Sequence, residues 1–354
     1  MAWTLQEIEV ALEKNLKRKF KHSPAEATKY FGYYTYARDT LISEKIFDAV
    51  GSLKKDLSDH GQDHIMNVLA NAGKLLGKEV DKMDAIQLYF ICMTVLFHDV
   101  GNLIANRETH HQHNIIREIY DYVRNKAKEF SDERMLVPEV ASKHSGTAGD
   151  GSKDTIKELH EETPYLFETP IHTKMTAALL RLADEMAEGY HRTSIYMNKY
   201  YNYPYAENSK IYHKYGEIAR PFIDRKGKRI GITYYFTLCA KDGIITEESH
   251  NDFIELYSFT IRRMLKIEAE RKYCKYYCEW LSPFNKTDIT FNYFVDNDTN
   301  GEIKSKQVRL DNAQLVLNDL VLPIDETLEK FFKEKSSYEP ENVFNSIKSA
   351  FDEK

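Results

Sequence analysis

The 354-residue sequence predicts a mainly α protein. A helical bundle is expected over residues 1–195, with a smaller α+β region over residues 196–354 that carries an antiparallel sheet and packs on it. Three observations carry this. Before Arg192 the apolar residues recur at helical spacing in segment after segment, the pattern of helices that bury one face. The first clear β-rich run, Arg229-Ile230-Gly231-Ile232-Thr233-Tyr234-Tyr235-Phe236-Thr237-Leu238, comes only after that point. No repeat and no low-complexity linker separates the two parts.

Along the chain, a first helix is expected over 4–20, capped by Thr4 with Glu7 three residues on, and with Leu5, Ile8, Leu12 and Leu16 on one stripe. A second is expected over 37–57, turning Leu41, Ile42, Ile46, Phe47, Val50 and Leu53 inward. Ser58 and Asp59 then offer caps for a helix with His64 in its first turn and Val68, Ala72 and Leu75 behind it on the buried stripe. Residues 84–97 hold Ile86, Leu88, Phe90, Ile91, Val95 and Leu96, dense enough for a helix buried on most sides.

That helix runs into His98-Asp99, and Gly101 lets the backbone turn away. A loop over 102–108 leads to His110-His111-Gln112-His113 and a helix through Ile115, Ile116, Ile119, Tyr120 and Val123. Pro138 to Lys143 lead to His144 and a polar stretch with Gly146, Gly149 and Gly151, read as a mobile surface loop. Residues 171–188 give another buried stripe, Met175, Ala178, Leu179, Leu182 and Met186, with Asp184 among them.

Beyond Arg192 come a tyrosine-rich tract over 196–205, the strand already quoted, and a long helix over 248–281. A hairpin is expected from 289–295 and 303–310 around Asp298-Thr299-Asn300-Gly301, and two terminal helices over 325–332 and 341–351. The basic run Arg225 to Arg229 reads as a solvated turn between strands.

The chemistry sits in the helical part. Imidazole and carboxylate both ligate divalent cations, and a metal site needs about four ligands, so His98-Asp99 gains meaning only if neighbouring helices can present more. Alone, the dipeptide reads more simply as a histidine near a helix dipole and an aspartate capping the next turn. The partners are His64 upstream and His110, His111, His144 and Asp184 downstream. Asp184 on a buried stripe requires a compensating charge, either a cation or an arginine such as Arg181. His60 is the alternative to His64, and His113 reads as solvated.

With these residues the chain resembles the HD superfamily of metal-dependent phosphohydrolases, whose pattern is a histidine, then His-Asp, then a distant aspartate on a helix. The matching positions are His64, His98 with Asp99, and Asp184, and Phe97 to Asn102 and Arg181 to Glu185 are similar to the family's local sequences. The resemblance covers about 59–192 and implies an HD-type bundle. It also implies extra ligands for a second metal at His144 and at His110 or His111. Family spacing from Arg107 favours His110, whereas helical periodicity favours His111. The Arg107 to His110 spacing and the tract after Asp184 are most similar to HD domains of prokaryotic conflict or defence systems.

The function implied is hydrolysis of a phosphoester or phosphoanhydride in a nucleotide (a dNTP, an NTP or a cyclic nucleotide), by one or two divalent ions. Asp99, His110, His144 and Arg107 are the expected catalytic residues. Arg107 would contact phosphate or else pair with Glu108. Imidazole and carboxylate without thiolate favour Mn²⁺, Ni²⁺, Co²⁺ or Fe²⁺, with Mg²⁺ and Zn²⁺ still open. A single-strand nuclease stacking bases on Tyr200 to Tyr203 is the rival enzyme, with single-stranded nucleic acid as its partner. A nucleotide sensor without turnover is the rival from another class, and a homo-oligomer is left open.

Composition bounds the rest. Hydrophobic residues at 42% and charged residues at 29% are those of an ordered globular chain. The 24 tyrosines and 18 phenylalanines promise aromatic packing. A net charge of −6 argues against bulk duplex binding, which rests on phosphate neutralisation by cations. Cys92, Cys239, Cys274 and Cys278 lack zinc-type pairing and read as reduced thiols. No signal-peptide pattern and no uncharged run near the roughly 20 residues of a membrane span is evident, so no membrane partner and a cytoplasmic location are expected.

Overall fold

A computed structural model describes residues 3–53, 61–105, 109, 111–193, 207–318 and 327–353. It divides into two compact units, Met1–Ala187 with Tyr273–Pro283, and Glu188–Lys272 with Phe284–Lys354. The first is helical; the second combines a sheet with helices, so the chain is mainly α with an α+β part.

In the first unit, α1 (Glu7–Lys19) buries Ile8, Leu12 and Leu16. Its cap is not the expected Thr4 with Glu7: Gln6 and Glu9 form the capping box, with the Gln6 amide donating to Glu9 Oε2 at 2.7 Å. Glu9 also accepts from Trp3 and Tyr34, so the buried carboxylate, rather than the first available hydroxyl, sets the helix start. The single helix expected over 37–57 is two. Here α2 (Pro24–Ser43) begins early because Pro24 sits in its first turn, and Lys45 at φ +56° breaks the chain before α3 (Ile46–Leu53).

Next come α4 (Gln62–Leu76), the short α5 (Glu79–Lys82) and α6 (Ala85–Phe97). Asp84 caps α6, its carboxylate accepting from the Ile86 amide at 2.8 Å, and every residue of α6 is buried. The stretch Ala85–Leu103 is long and apolar enough by composition to cross a membrane, yet 94% of it is buried inside the protein, as in a core helix. A 3-10 turn, Val100–Leu103, comes after it.

The bundle continues with α7 (His113–Val123) and α8 (Ser131–Ala141), which admits Pro138 within the helix where the sequence suggested only a connection. A small hairpin, β1 (Tyr165–Leu166) with β2 (Thr169–Pro170), precedes α9 (Thr173–Glu185). Between α7 and α8 lies a buried ionic knot. Glu133 accepts from Tyr89 at 2.5 Å, Tyr120 at 2.6 Å and Arg124 Nη2 at 2.7 Å, and Glu133 is wholly buried.

After a 3-10 turn at Tyr190–Arg192, the described part of the second unit continues with α10 (Glu207–Ile218) and β3 (Ala219–Asp224). Then come β4 (Arg229–Lys241), β5 (Ile244–Ile245) and α11 (Glu247–Tyr277). Finally there are β6 (Lys286–Thr299), β7 (Glu302–Val308), β8 (Gln314–Asn318), α12 (Leu328–Glu334) and α13 (Pro340–Asp352). The sheet order is β3-β4-β6-β7, with β5 on β4 and β8 on β6. Most pairs are antiparallel as expected, but the central pair, β4 with β6, is parallel, because α11 is a crossover helix between them. The expected hairpin is present as β6–β7, turning at Asn300 (φ +56°) and Gly301 (φ +85°).

Removing one member of the Glu133 knot leaves a buried charge without its partner. Arg124→Met should therefore lower unfolding stability by about 3–5 kcal/mol. Denaturant melts of the two proteins check this; a change below about 1 kcal/mol would show the knot to be dispensable.

Candidate metal centre

The site is assembled from the ends of three helices and one 3-10 turn. His64 lies in the first turn of α4, whose stripe of Ile65, Val68, Leu69, Ala72 and Leu75 holds that helix against the core. His98 caps the C-terminus of α6 and Asp99 is the next residue. Asp184 sits in the last turn of α9. His144 ends the 3-10 turn Ser142–His144 that continues α8. His64 and His98 are fully buried, Asp99 and His144 nearly so, and the Asp184 side chain is 25% exposed.

Their ring and carboxylate atoms converge. His64 Nε2 stands 3.4 Å from Asp99 Oδ2 and 3.2 Å from Asp184 Oδ1. His98 Nε2 stands 3.5 Å from Asp99 Oδ2 and 3.9 Å from Asp184 Oδ1. The other Asp99 oxygen, Oδ1, lies 3.5 Å from His144 Nε2. The carboxylate of Asp99 thus faces His64 and His98 with one oxygen and His144 with the other.

Two backbone carbonyls fix how the rings face. His98 Nδ1 lies 2.8 Å from the Val95 carbonyl, and His144 Nδ1 lies 2.7 Å from the Ala141 carbonyl. A carbonyl only accepts, so Nδ1 carries the proton and the lone pair of each neutral ring is on Nε2, towards Asp99. His98 Nε2 has no hydrogen-bond partner among the described residues.

This arrangement suits a cation. Neighbouring ligands about 2.1 Å from a shared ion stand roughly 3.0–3.4 Å apart, close to the separations seen here. Ligand atoms of His64, His98 and Asp99 all lie within 4.8 Å of one another, so the buried cluster could bind a metal ion. Two carboxylates with an unprotonated buried imidazole are the donor set a divalent cation would neutralise.

The electrostatics agree. Burial pushes the His98 pKa down to about 4 against the upward pull of Asp99 and Asp184. For His144, burial would lower the pKa, but Asp99 and Asp184 outweigh it and hold the ring above its ordinary value. Burial alone would raise Asp184, yet the imidazoles of His64 and His98 keep its carboxyl well below the usual carboxylate range.

The remaining expectations divide. His111 comes just before α7 begins, so the helical spacing read from Ile115 and Ile119 does not apply to it. Its half-buried ring lies against Gly146 instead, where a Cβ would sit 2.3 Å from Nε2; Gly146 has φ +94°. His111 is therefore beside the residues just after His144. His113 is part-buried as the first residue of α7 rather than fully solvated. Arg107, His110, His60 and Tyr200 to Tyr203 lie outside the described residues.

Arg181, considered from sequence as a partner for Asp184, donates from Nη1 to the Lys153 carbonyl (3.3 Å) and Thr155 Oγ1 (3.2 Å), and its guanidinium stands 4.5 Å from the Tyr273 ring centre. No periodic or motif signal in the sequence points to that contact.

A histidine, a His-Asp pair and a helical aspartate brought together by buried helix ends define an HD-type domain. The family comparison agrees: the HD-CE family model matches residues 54–257, more than half of the chain, and the protein belongs to that family. No curated protein and no solved structure matches it. The match runs beyond the 59–192 resemblance, through β3 and β4 and into α11.

The depressed His98 pKa carries a stability consequence for the metal-free protein. An unfolded imidazole takes up its proton near 6.5 and the folded one only near 4. Between these values the unfolded chain binds more protons, so stability falls as pH falls, by about 3 kcal/mol from this group. Urea melts in chelator near neutral pH and at a pH between the two values should show a shallower pH dependence for His98→Asn than for the natural protein; equal slopes would contradict the assignment.

Proposed function

We propose that the protein is a metal-dependent phosphohydrolase or phosphodiesterase that cleaves a phosphoester or phosphoanhydride bond in a nucleotide. The observation that carries this reading is the Asp99 carboxylate, which presents one oxygen to His64 and His98 and the other to His144. Membership of an HD-type family supports it.

In this reading His64, His98, Asp99 and Asp184 hold the first ion. His144, with His111 or His110, holds a second ion or donates to the phosphoryl group. Mn²⁺, Fe²⁺, Ni²⁺ and Co²⁺ fit nitrogen and carboxylate donors best. When bound, a divalent cation supplies an acidified water and neutralises charge on phosphoryl oxygens.

The chain's own residues do the rest. The Val95 and Ala141 carbonyls keep both Nε2 atoms pointed inward, so no ring must reorient during turnover. His144 keeps a proton more readily than free imidazole because Asp99 faces it, which suits a group that gives a proton or a hydrogen bond to a departing oxygen. Burial of His64, His98 and Asp99 excludes bulk water and strengthens each electrostatic contact.

A turnover panel tests this. Purified protein with Mn²⁺, Ni²⁺ or Co²⁺ is incubated with nucleoside triphosphates, deoxynucleoside triphosphates, cyclic nucleotides and labelled single-stranded DNA, and the products are separated. Release of phosphate or nucleoside phosphate from a nucleotide is expected, with loss of at least about 100-fold in Asp99→Ala. Cleavage of the DNA alone would replace the nucleotide by a strand as substrate. Tight nucleotide binding with no product would make the protein a sensor, and turnover surviving Asp99→Ala would remove the proposed chemistry.

A further inference from the structure

The polar stretch after His144 is a tied structure rather than a loose one. Gly146 packs on the His111 ring. The Ala148 amide donates to the Ser152 carbonyl at 2.8 Å, closing a tight turn, and the Gly149 amide donates to Glu158 at 2.6 Å. Thr155 Oγ1 donates to the Lys143 carbonyl at 2.9 Å, next to His144. Arg181, one helical turn before Asp184, holds the Lys153 carbonyl and Thr155.

Asp154 is clamped in turn, accepting from the hydroxyls of Tyr273 and Tyr277, each at 2.9 Å, and the Tyr273 oxygen accepts from the Ile156 amide at 3.1 Å. The segment 146–158 is thereby anchored at both ends to residues adjoining the metal centre.

The cations on this segment are not equivalent. Lys143 pairs with Glu158 at 2.8 Å, and Lys157 pairs with Asp150. Lys153 is exposed, and its ammonium group donates to the Thr147 hydroxyl at 2.9 Å; no carboxylate among the described residues pairs with it. Thr147 directly follows Gly146, the residue packed on the His111 ring, and lies three residues after His144.

We propose that Lys153 is the substrate-phosphate contact of this site, held on Thr147, next to the contact of Gly146 with His111, by a loop that Arg181 and Asp154 lock in place. The proposal rests on the reading of the centre as one that takes phosphate compounds. A lysine tethered only to a neutral hydroxyl keeps two donors and its full charge available for a phosphate oxygen. The ligand class it selects is a substrate with a phosphoryl group beyond the one at the metal centre, or with unesterified oxygens on that group.

Calorimetry on the full chain loaded with Mn²⁺ tests this, with inorganic phosphate and a nucleoside triphosphate as probes. Lys153→Met should weaken binding of both by about tenfold or more, while Mn²⁺ binding measured without phosphate stays unchanged and Lys153→Arg retains most of the affinity. Lys157→Met, an equal charge change on the same segment, should leave phosphate binding unaltered. Natural affinity in Lys153→Met, an equal loss in Lys157→Met, or no phosphate binding by the natural protein would each overturn the assignment. Phosphate binding that depends on Lys153 without any turnover would refute the hydrolase reading and leave this contact standing.

Discussion

Two carboxylates and three imidazoles drawn into one buried space are the constraint on which the first unit is built. Each buried charge costs several kcal/mol unless it is compensated, and the compensation has to be local. Asp99 is almost wholly buried between His64, His98 and His144, and burial keeps His98 neutral over most of the pH range. The His98 lone pair meets no donor among the described residues, and with the carboxylate beside it forms a donor set that could bind a cation.

Precision in such a site comes from the elements behind it. Helix α6 is buried along its whole length, so its C-terminal residues cannot shift without disturbing the centre of the bundle. At the end of α6 and again after α8, a histidine turns its Nδ1 onto the carbonyl three residues back. The same local device, used twice, orients two rings from different parts of the chain towards the two oxygens of one carboxylate. The unpaired carbonyls that helix ends expose thus become the contacts that orient the candidate ligand rings.

Chemistry carried by residue type and helical period was legible in the sequence. His64, His98, Asp99, His144 and Asp184, which the family resemblance grouped, stand together, and the periodic α4 and α9 and the wholly apolar α6 lie where expected. Boundaries set by tertiary contacts were not legible. Glu9 caps α1 because Trp3 and Tyr34 meet its carboxylate, and the break at Lys45 has no glycine or proline to mark it. The parallel pairing of β4 with β6 depends on where α11 carries the chain, which alternation along either strand cannot reveal. The role of Arg181 was equally hidden, since its partners lie at Lys153, Thr155 and Tyr273.

The matched family region and the compact unit that houses the candidate metal centre are not the same set of residues. The match spans 54–257, whereas the unit, Met1–Ala187 with Tyr273–Pro283, also takes in the residues before 54 and the returning segment Tyr273–Pro283. Both excluded pieces bear on the site physically. Helix α1 supplies the fully buried Ile8, Leu12 and Leu16, and Asn15 donates to the Val80 carbonyl at 2.7 Å, fixing the chain between α4 and α6. Tyr273 and Tyr277 fix Asp154, and Tyr273 stacks Arg181 against the segment after His144. The histidines and carboxylates of the candidate site are recognisable by residue type, but the walls that hold them are set by packing. Packing can be supplied from any part of a chain that returns to the same core.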